Sequence, residues 1–226
     1  MLISHRHRFI FLKTFKTAGT SLESYFERHC LPAGAWQPQP SRRETVTSQG
    51  IIGHRGAGLG PEVRWWNHMT ASAVCAQLGE PQWSEYHKFC VVRNPYDKVV
   101  SMFFFRRQRG IIKPPGASEA EQLENALRLE APVSDRNVYC IDDRIAVDSV
   151  LRYERLQADL ADLCTRLGLP WRPQELPRYK AGFRPPEARV EALYTEASRA
   201  IVRHAYAWEF ETFGYGFGDQ AQEIAP

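Results

Sequence analysis

A buried strand that leads at once into a turn of small, hydroxylated residues and then a helix most constrains the fold of this chain. Residues 8–13 are a short β-rich run, residues 14–21 are small and polar, and apolar residues recur at helical spacing from Leu22. The same order returns where residues 88–93 lead into Asn94-Pro95, a good N-cap followed by a good first helical residue. Repeated strand–helix units predict an α/β domain with a central, mainly parallel sheet flanked by helices.

The rest of the chain continues this alternation without an internal repeat or a linker that would separate domains. The patterns predict a strand near 150–153 and a leucine stripe from Leu156 to a helix end at Gly168. They also predict helices at 70–78, 118–131 and 187–208, with loops at 31–50 and 170–186. We therefore predict one domain over residues 1–218 and a C-terminal tail over 219–226.

Composition excludes several classes of protein. The 226 residues carry 29 Lys and Arg against 26 Asp and Glu, a net charge of +3, and 43% are hydrophobic. This balance excludes intrinsic disorder and argues against a general nucleic-acid binder. The longest nearly apolar run, residues 99–105, is far shorter than the roughly 20 residues of a membrane span. Five scattered cysteines without a CxxC motif, and no signal-like leader, predict a cytoplasmic protein with reduced thiols.

The stretch 13–21, which we call the first anion turn, has the composition of a phosphate or sulfate site. It contains Lys16 and then five small residues that open a helix: Thr17, Ala18, Gly19, Thr20 and Ser21. Backbone N–H groups at a helix N-terminus attract anions, and Lys16 adds a full charge. A capped turn with a solvated lysine is the simpler alternative. The turn is not a Walker A loop, because Lys16 precedes the glycine instead of following it.

The stretch 93–101, the second anion motif, is a second candidate phosphate site. Arg93 ends a predicted strand, where ligands of open α/β sheets bind. Ser101 lies about two helical turns beyond the cap at Asn94 and shares its face of the helix. An arginine fork and a hydroxyl suit a phosphate, although a structural salt bridge is the alternative for Arg93.

Together the two motifs resemble those of the PAPS-dependent sulfotransferases, where PAPS is 3′-phosphoadenosine 5′-phosphosulfate. The resemblance covers about residues 8–217, is nearest to the carbohydrate-type members, and implies a single P-loop-like domain. It implies that the first anion turn holds the 5′-phosphosulfate and that Arg93 and Ser101 hold the 3′-phosphate. Weaker likenesses place Tyr153 near the adenine, and Lys180 and Arg184 in a loop over the 3′-phosphate. A packed aromatic residue and an ordinary basic loop are the alternatives for these three.

The implied reaction moves a sulfuryl group to an acceptor hydroxyl or amine, without a metal. Lys16 would stabilise charge on the leaving phosphate, and a general base would take the acceptor's proton. His68, just before a predicted helix, is the first candidate for the base and His54 the second. A carboxylate remains open, and each histidine has a structural alternative. Glu23, on the helix after the turn, is expected on a solvated face.

Two other functions stay open at this stage. A divergent P-loop nucleotide kinase would need magnesium and a carboxylate at a strand end, which no strand of the sequence offers convincingly. A non-catalytic nucleotide binder would keep both anion motifs without the chemistry. The acceptor is expected to be a hydroxylated compound such as a carbohydrate or small metabolite, and the sequence does not specify it.

Overall fold

The computed structural model describes residues 1–180 and 182–218, and these group into two compact units. The first unit comprises Met1–Val92 and Asp135–Tyr179. The second comprises Arg93–Ser134 and the described residues from Lys180 onward. The single domain over 1–218 therefore stays a prediction. The predicted tail, 219–226, lies outside the described residues.

The first unit contains a six-stranded sheet in the order β3-β4-β1-β2-β5-β8. A separate hairpin, formed by β6 and β7, belongs to the same unit. The strands are β1 (Leu2–Ser4), β2 (Phe9–Leu12), β3 (Thr45–Thr47), β4 (Gly50–Ile52), β5 (His87–Val92), β6 (Cys140–Ile141), β7 (Arg144–Ile145) and β8 (Ser149–Arg152).

Parallel pairing is confined to strands β2, β5 and β8, and the two anion motifs follow β2 and β5 in the chain. Strands β2 and β5 are parallel, with Phe11 opposite Phe89, and β5 and β8 are parallel, with Val91 opposite Leu151. The other three pairs, β1 with β2, β1 with β4 and β3 with β4, are antiparallel. The predicted α/β class and central sheet are confirmed, and the sheet is mixed because short turns fold the chain back at both hairpins. Strand β3 lies in a region that we expected to be loop.

The first unit also contains α-helices, two of which pack against the sheet. The helices are α1 (Gly19–Phe26), α2 (Ala71–Leu78), α3 (Glu80–Glu85) and α6 (Leu156–Arg166). The predicted leucine stripe of α6 is buried, and it joins one core with apolar residues of β2, β5 and α1. Thr70 caps α2 as predicted, since its hydroxyl accepts from the Ala73 amide at 3.2 Å. This packing fixes the strand ends and the start of α1.

The second unit is helical, with its own core. Its helices are α4 (Pro95–Gln108), α5 (Glu119–Leu129), α7 (Val190–Leu193), α8 (Glu196–Ala205) and α9 (Ala207–Phe213). The predicted cap of α4 is confirmed, because Asn94 Oδ1 accepts from the Tyr96 amide at 3.0 Å. Aromatic and aliphatic residues of α4, α5 and α8 form the core, including Phe104, Leu123 and Val202. Among the described residues, no helix is long and apolar enough to span a membrane.

Candidate anion-binding and catalytic site

The backbone of the first anion turn is shaped to present amide groups. Lys16 and Ala18 both have left-handed backbone conformations, with φ of 58° and 57°. Within the described chain, the amides of Ala18, Gly19 and Thr20 donate no hydrogen bond. Alternating conformations of this kind form a concave group of N–H donors, and the N-terminus of α1 adds partial positive charge. The backbone strain is thus located where an anion would bind.

The hydroxyl groups of the first anion turn have two different roles. The Thr17 side chain is fully buried, and its hydroxyl pairs with the Thr14 hydroxyl at 2.8 Å, so it fixes the turn from inside. Thr20 Oγ1 accepts from Lys13 Nζ at 3.4 Å, and Ser21 Oγ accepts from the Tyr179 amide at 3.1 Å. Each of these two hydroxyls keeps its own proton to donate.

Lys13, the first residue of the first anion turn, packs against the start of α1. Its side chain is buried, and Nζ contacts Glu23 Oε2 at 2.6 Å. It passes over Gly19, where a Cβ atom would lie 2.7 Å from Lys13 Cγ. A residue with a side chain at position 19 would therefore displace the lysine.

Glu23 is the centre of a buried ion network, and our expectation of a solvated face for it is wrong. Its carboxylate contacts the Met1 amino group, Lys13 and, at 3.3 Å, Arg55. Arg55 also pairs with Glu27 at 2.6 Å. Burial alone would raise the pKa of Glu23, but the surrounding cations lower it well below its usual range. Glu23 is a buried residue of α1, where it contacts these charged partners.

His68 is held beside the first anion turn. Its Nδ1 lies 2.9 Å from the Lys13 carbonyl oxygen, and its ring stacks on Phe15 with centroids 3.9 Å apart. Because a carbonyl only accepts, Nδ1 carries a proton and the lone pair of the neutral ring is on Nε2. Burial and the charge of Lys13 lower the pKa of His68 to about 3. His68 also has a left-handed backbone, with φ of 58°.

His54 lies just after β4 and is fixed through its backbone. Its amide donates to the Trp65 carbonyl at 2.7 Å, and its carbonyl accepts from the Asn67 amide at 3.0 Å. The ring is buried, and Nε2 has no hydrogen-bond partner among the described residues. His54 therefore remains the second candidate for the base.

In the second unit, the structure brings two predicted arginines to one carboxylate. Arg93 contacts Asp97 Oδ2 through Nε at 2.7 Å and Nη2 at 2.6 Å. Arg184 Nη1 contacts the other oxygen, Oδ1, at 2.6 Å, and its Nε donates to the Ala188 carbonyl. The salt bridge that we considered for Arg93 is present, and it includes a second predicted ligand.

The remaining predicted binding residues are distributed over both units. Ser101 is half-buried within α4, and Lys180 has a left-handed backbone with φ of 57°. Tyr153 follows β8 in the first unit, is partly buried and packs against the first core.

Comparison with known proteins then identifies the chain. A model of the sulfotransferase family matches residues 1–216, which include both anion motifs. The chain belongs to the sulfotransferase family. It is therefore a transferase of sulfuryl groups. No curated protein and no solved structure matches it.

The sequence analysis missed two residues of this sulfotransferase, Asp97 and Lys13. The contact of Asp97 is local in sequence, whereas that of Lys13 is not. Asp97 is in the first turn of α4, only four residues after Arg93, so this contact is local in the sequence. Lys13 lies at the end of β2, as Arg93 follows β5, but nothing in the sequence connects it with Glu23. That contact depends on how α1 crosses the strand end.

Proposed function

We propose that this sulfotransferase uses PAPS as its donor and transfers the sulfuryl group to a hydroxyl or amine of a carbohydrate or small metabolite. The observation that carries the proposal is the first anion turn. The amides of Ala18, Gly19 and Thr20 donate no hydrogen bond in the described chain, and His68 lies beside the turn. A terminal sulfuryl group and the phosphate that carries it are anions of the kind this arrangement suits.

In the proposed reaction, the acceptor oxygen attacks sulfur from the side opposite the leaving phosphate. A new O–S bond forms, the bond between sulfur and the bridging phosphate oxygen breaks, and 3′-phosphoadenosine 5′-phosphate leaves. The amides of the turn and the Lys16 side chain stabilise the negative charge that develops on the leaving oxygen. The hydroxyls of Thr20 and Ser21 donate to the same group of oxygens.

His68 is assigned the role of general base. Its Nδ1 proton is directed to the Lys13 carbonyl, so Nε2 is the atom that accepts the acceptor's proton. The low pKa keeps the ring neutral at physiological pH, although it makes His68 a weak base. His54, whose Nε2 is unpaired in the described chain, is the alternative.

The second anion motif is assigned to the 3′-phosphate. Arg93 and Arg184 supply guanidinium donors in the second unit, and Ser101 and Lys180 complete the predicted set. Tyr153 is proposed as the adenine contact.

A transfer assay tests the proposal. Purified protein is incubated with labelled PAPS and a panel of mono- and oligosaccharides, glycolipids and small alcohols and amines, and sulfated products are identified by mass. We expect at least one acceptor to be sulfated and the signal to depend on Lys16. If ATP with magnesium gave phosphorylated products while PAPS gave no sulfated product, the nucleotide-kinase hypothesis would replace the proposed use of PAPS.

A further inference from the structure

Two arginines that are distant in sequence share one carboxylate in the second unit. Arg93 occupies Asp97 Oδ2, and Arg184 occupies Oδ1. The side chain of Asp97 is only 9% exposed, so both contacts are shielded from bulk water. Two adjacent guanidinium groups would otherwise repel each other, and the carboxylate reduces the charge of the trio from +2 to +1.

On Arg184, the contact with Asp97 leaves part of the guanidinium donors available. Nε of Arg184 is bound to the Ala188 carbonyl and Nη1 to Asp97, so three of its five N–H groups remain. The same carboxylate approaches Arg93 along the edge formed by Nε and Nη2. Asp97 therefore orients both guanidinium groups, and the donors that remain on Arg184 suit an anion.

We propose that Asp97 is a positioning residue that prealigns Arg93 and Arg184 for the donor's 3′-phosphate. This inference rests on the proposed function, since it concerns the same nucleotide. Arginine side chains lose considerable rotamer freedom when they are held in one geometry. The ion pairs to Asp97 impose that geometry before the nucleotide arrives, so less binding free energy is spent on ordering.

One substitution distinguishes a positioning role of Asp97 from simple charge neutralisation, because the two roles predict opposite changes in phosphate affinity. Asp97→Asn keeps the size of the side chain, raises the charge of the trio, and turns an amide N–H group toward one of the arginines. If Asp97 only neutralised part of the positive charge of the two arginines, loss of its carboxylate would tighten phosphate binding. If Asp97 positions the arginines, its removal weakens binding despite the added charge.

The experiment measures the dissociation constants of 3′-phosphoadenosine 5′-phosphate and of 5′-AMP, which lacks the 3′-phosphate. We expect Asp97→Asn to lower the preference for the 3′-phosphorylated ligand about tenfold, the scale of a lost charge-assisted contact. Asp97→Glu, which restores the charge, should recover part of it. Glu130→Gln is the matched control, because it removes a carboxylate from Arg106 of α4 in the same unit.

Each outcome decides the matter. An unchanged or increased preference in Asp97→Asn, or a loss shared equally by Glu130→Gln, overturns the positioning role while the proposed function stands. A purely structural effect would weaken both ligands equally and would also overturn it. If the wild-type protein showed no preference for the 3′-phosphorylated ligand, the proposed donor would be wrong and the positioning role would fall with it.

Discussion

At the scale of single residues, two lysines three positions apart have opposite environments. Lys13 is buried and paired with Glu23, whereas Lys16 is partly exposed in a left-handed backbone conformation. Lys13 therefore stabilises the turn, whereas Lys16 is the lysine that we propose to contact the donor. From the sequence, only Lys16 was placed in the site, because burial of Lys13 is a tertiary property.

Lys16→Ala should lower turnover far more than nucleotide affinity. The lysine is proposed to act on charge that develops during transfer, and removing one such donor typically costs about 10²–10³ in kcat. Steady-state kinetics with PAPS, together with the dissociation constant of the product nucleotide, measure both effects. Lys113→Ala, at an exposed lysine, is the control. Equal turnover in Lys16→Ala would remove its catalytic role.

Substitution of each histidine separately identifies the base. We expect His68→Gln to reduce kcat by about 10²–10⁴ and His54→Gln to reduce it much less. Because the pKa of His68 is lowered to about 3, its neutral form persists as pH falls through 6.5. The pH–rate profile should therefore have no acidic limb near 6.5 from this residue. A limb near 6.5 that vanished in His68→Gln would contradict the lowered pKa of His68, and a larger loss of kcat in His54→Gln would reverse the assignment.

Arg93→Ala should selectively weaken recognition of the 3′-phosphate. The arginine provides a fork of donors, so its loss should lower affinity for 3′-phosphoadenosine 5′-phosphate and leave that for 5′-AMP nearly unchanged. Parallel calorimetric titrations of the two ligands measure this. A variant that binds the 3′-phosphorylated nucleotide as tightly as the wild type does would show that the second motif was misassigned.

At the scale of elements, the start of α1 depends on a close approach that only glycine allows. Ala would ordinarily stabilise a helix relative to Gly, but at position 19 its Cβ would overlap the Lys13 side chain. We expect Gly19→Ala to lower the free energy of unfolding by about 1–3 kcal/mol, as overpacking does. Urea denaturation measures the change.

Gly60→Ala is the matched control for that substitution. No heavy atom lies within 4 Å of a Cβ at position 60, so its stability should be nearly unchanged. If Gly19→Ala were as stable as Gly60→Ala, the tight packing of Lys13 over α1 would be wrong.

Elements with local signals were predictable, and elements with tertiary causes were not. Three predictions that depend only on neighbouring residues are confirmed: the cap at Asn94, the cap at Thr70 and the leucine stripe of α6. Strand β3 has only three residues and forms because β4 pairs with it. The ion network around Glu23 joins the strand end, α1 and Arg55, so no local pattern could reveal it.

At the scale of the whole molecule, buried histidines make stability depend on pH. Burial lowers the pKa of His29 to about 4, with added repulsion from His7, Arg28 and Arg6. The unfolded residue binds a proton near pH 6.5, so stability is lost as pH falls from 6.5 toward 4. At pH 5 the loss for this residue is about 2 kcal/mol.

His29→Gln tests this dependence. The free energy of unfolding should fall less between pH 7 and pH 5 in His29→Gln than in the wild type, by about 2 kcal/mol. His204→Gln, at an exposed histidine, should follow the wild type. If all three proteins lost the same stability over this range, His29 would not be the group that titrates.

Family membership and fold could be predicted from two separated motifs, whereas the roles of individual residues depend on packing. The matched residues 1–216 include both motifs. Arg93 and Arg184 were both predicted, but the carboxylate that joins them became evident only from the folded second unit. The acceptor is not encoded in any pattern that we could read.

The most direct test of the central claim is calorimetric titration with 3′-phosphoadenosine 5′-phosphate in the absence of metal, beside ATP with magnesium. The account predicts micromolar binding of the first ligand, about −8 kcal/mol, and little binding of the second. Tight binding of ATP with magnesium and none of the 3′-phosphorylated nucleotide would contradict it, and would show that the two anion motifs serve a different nucleotide.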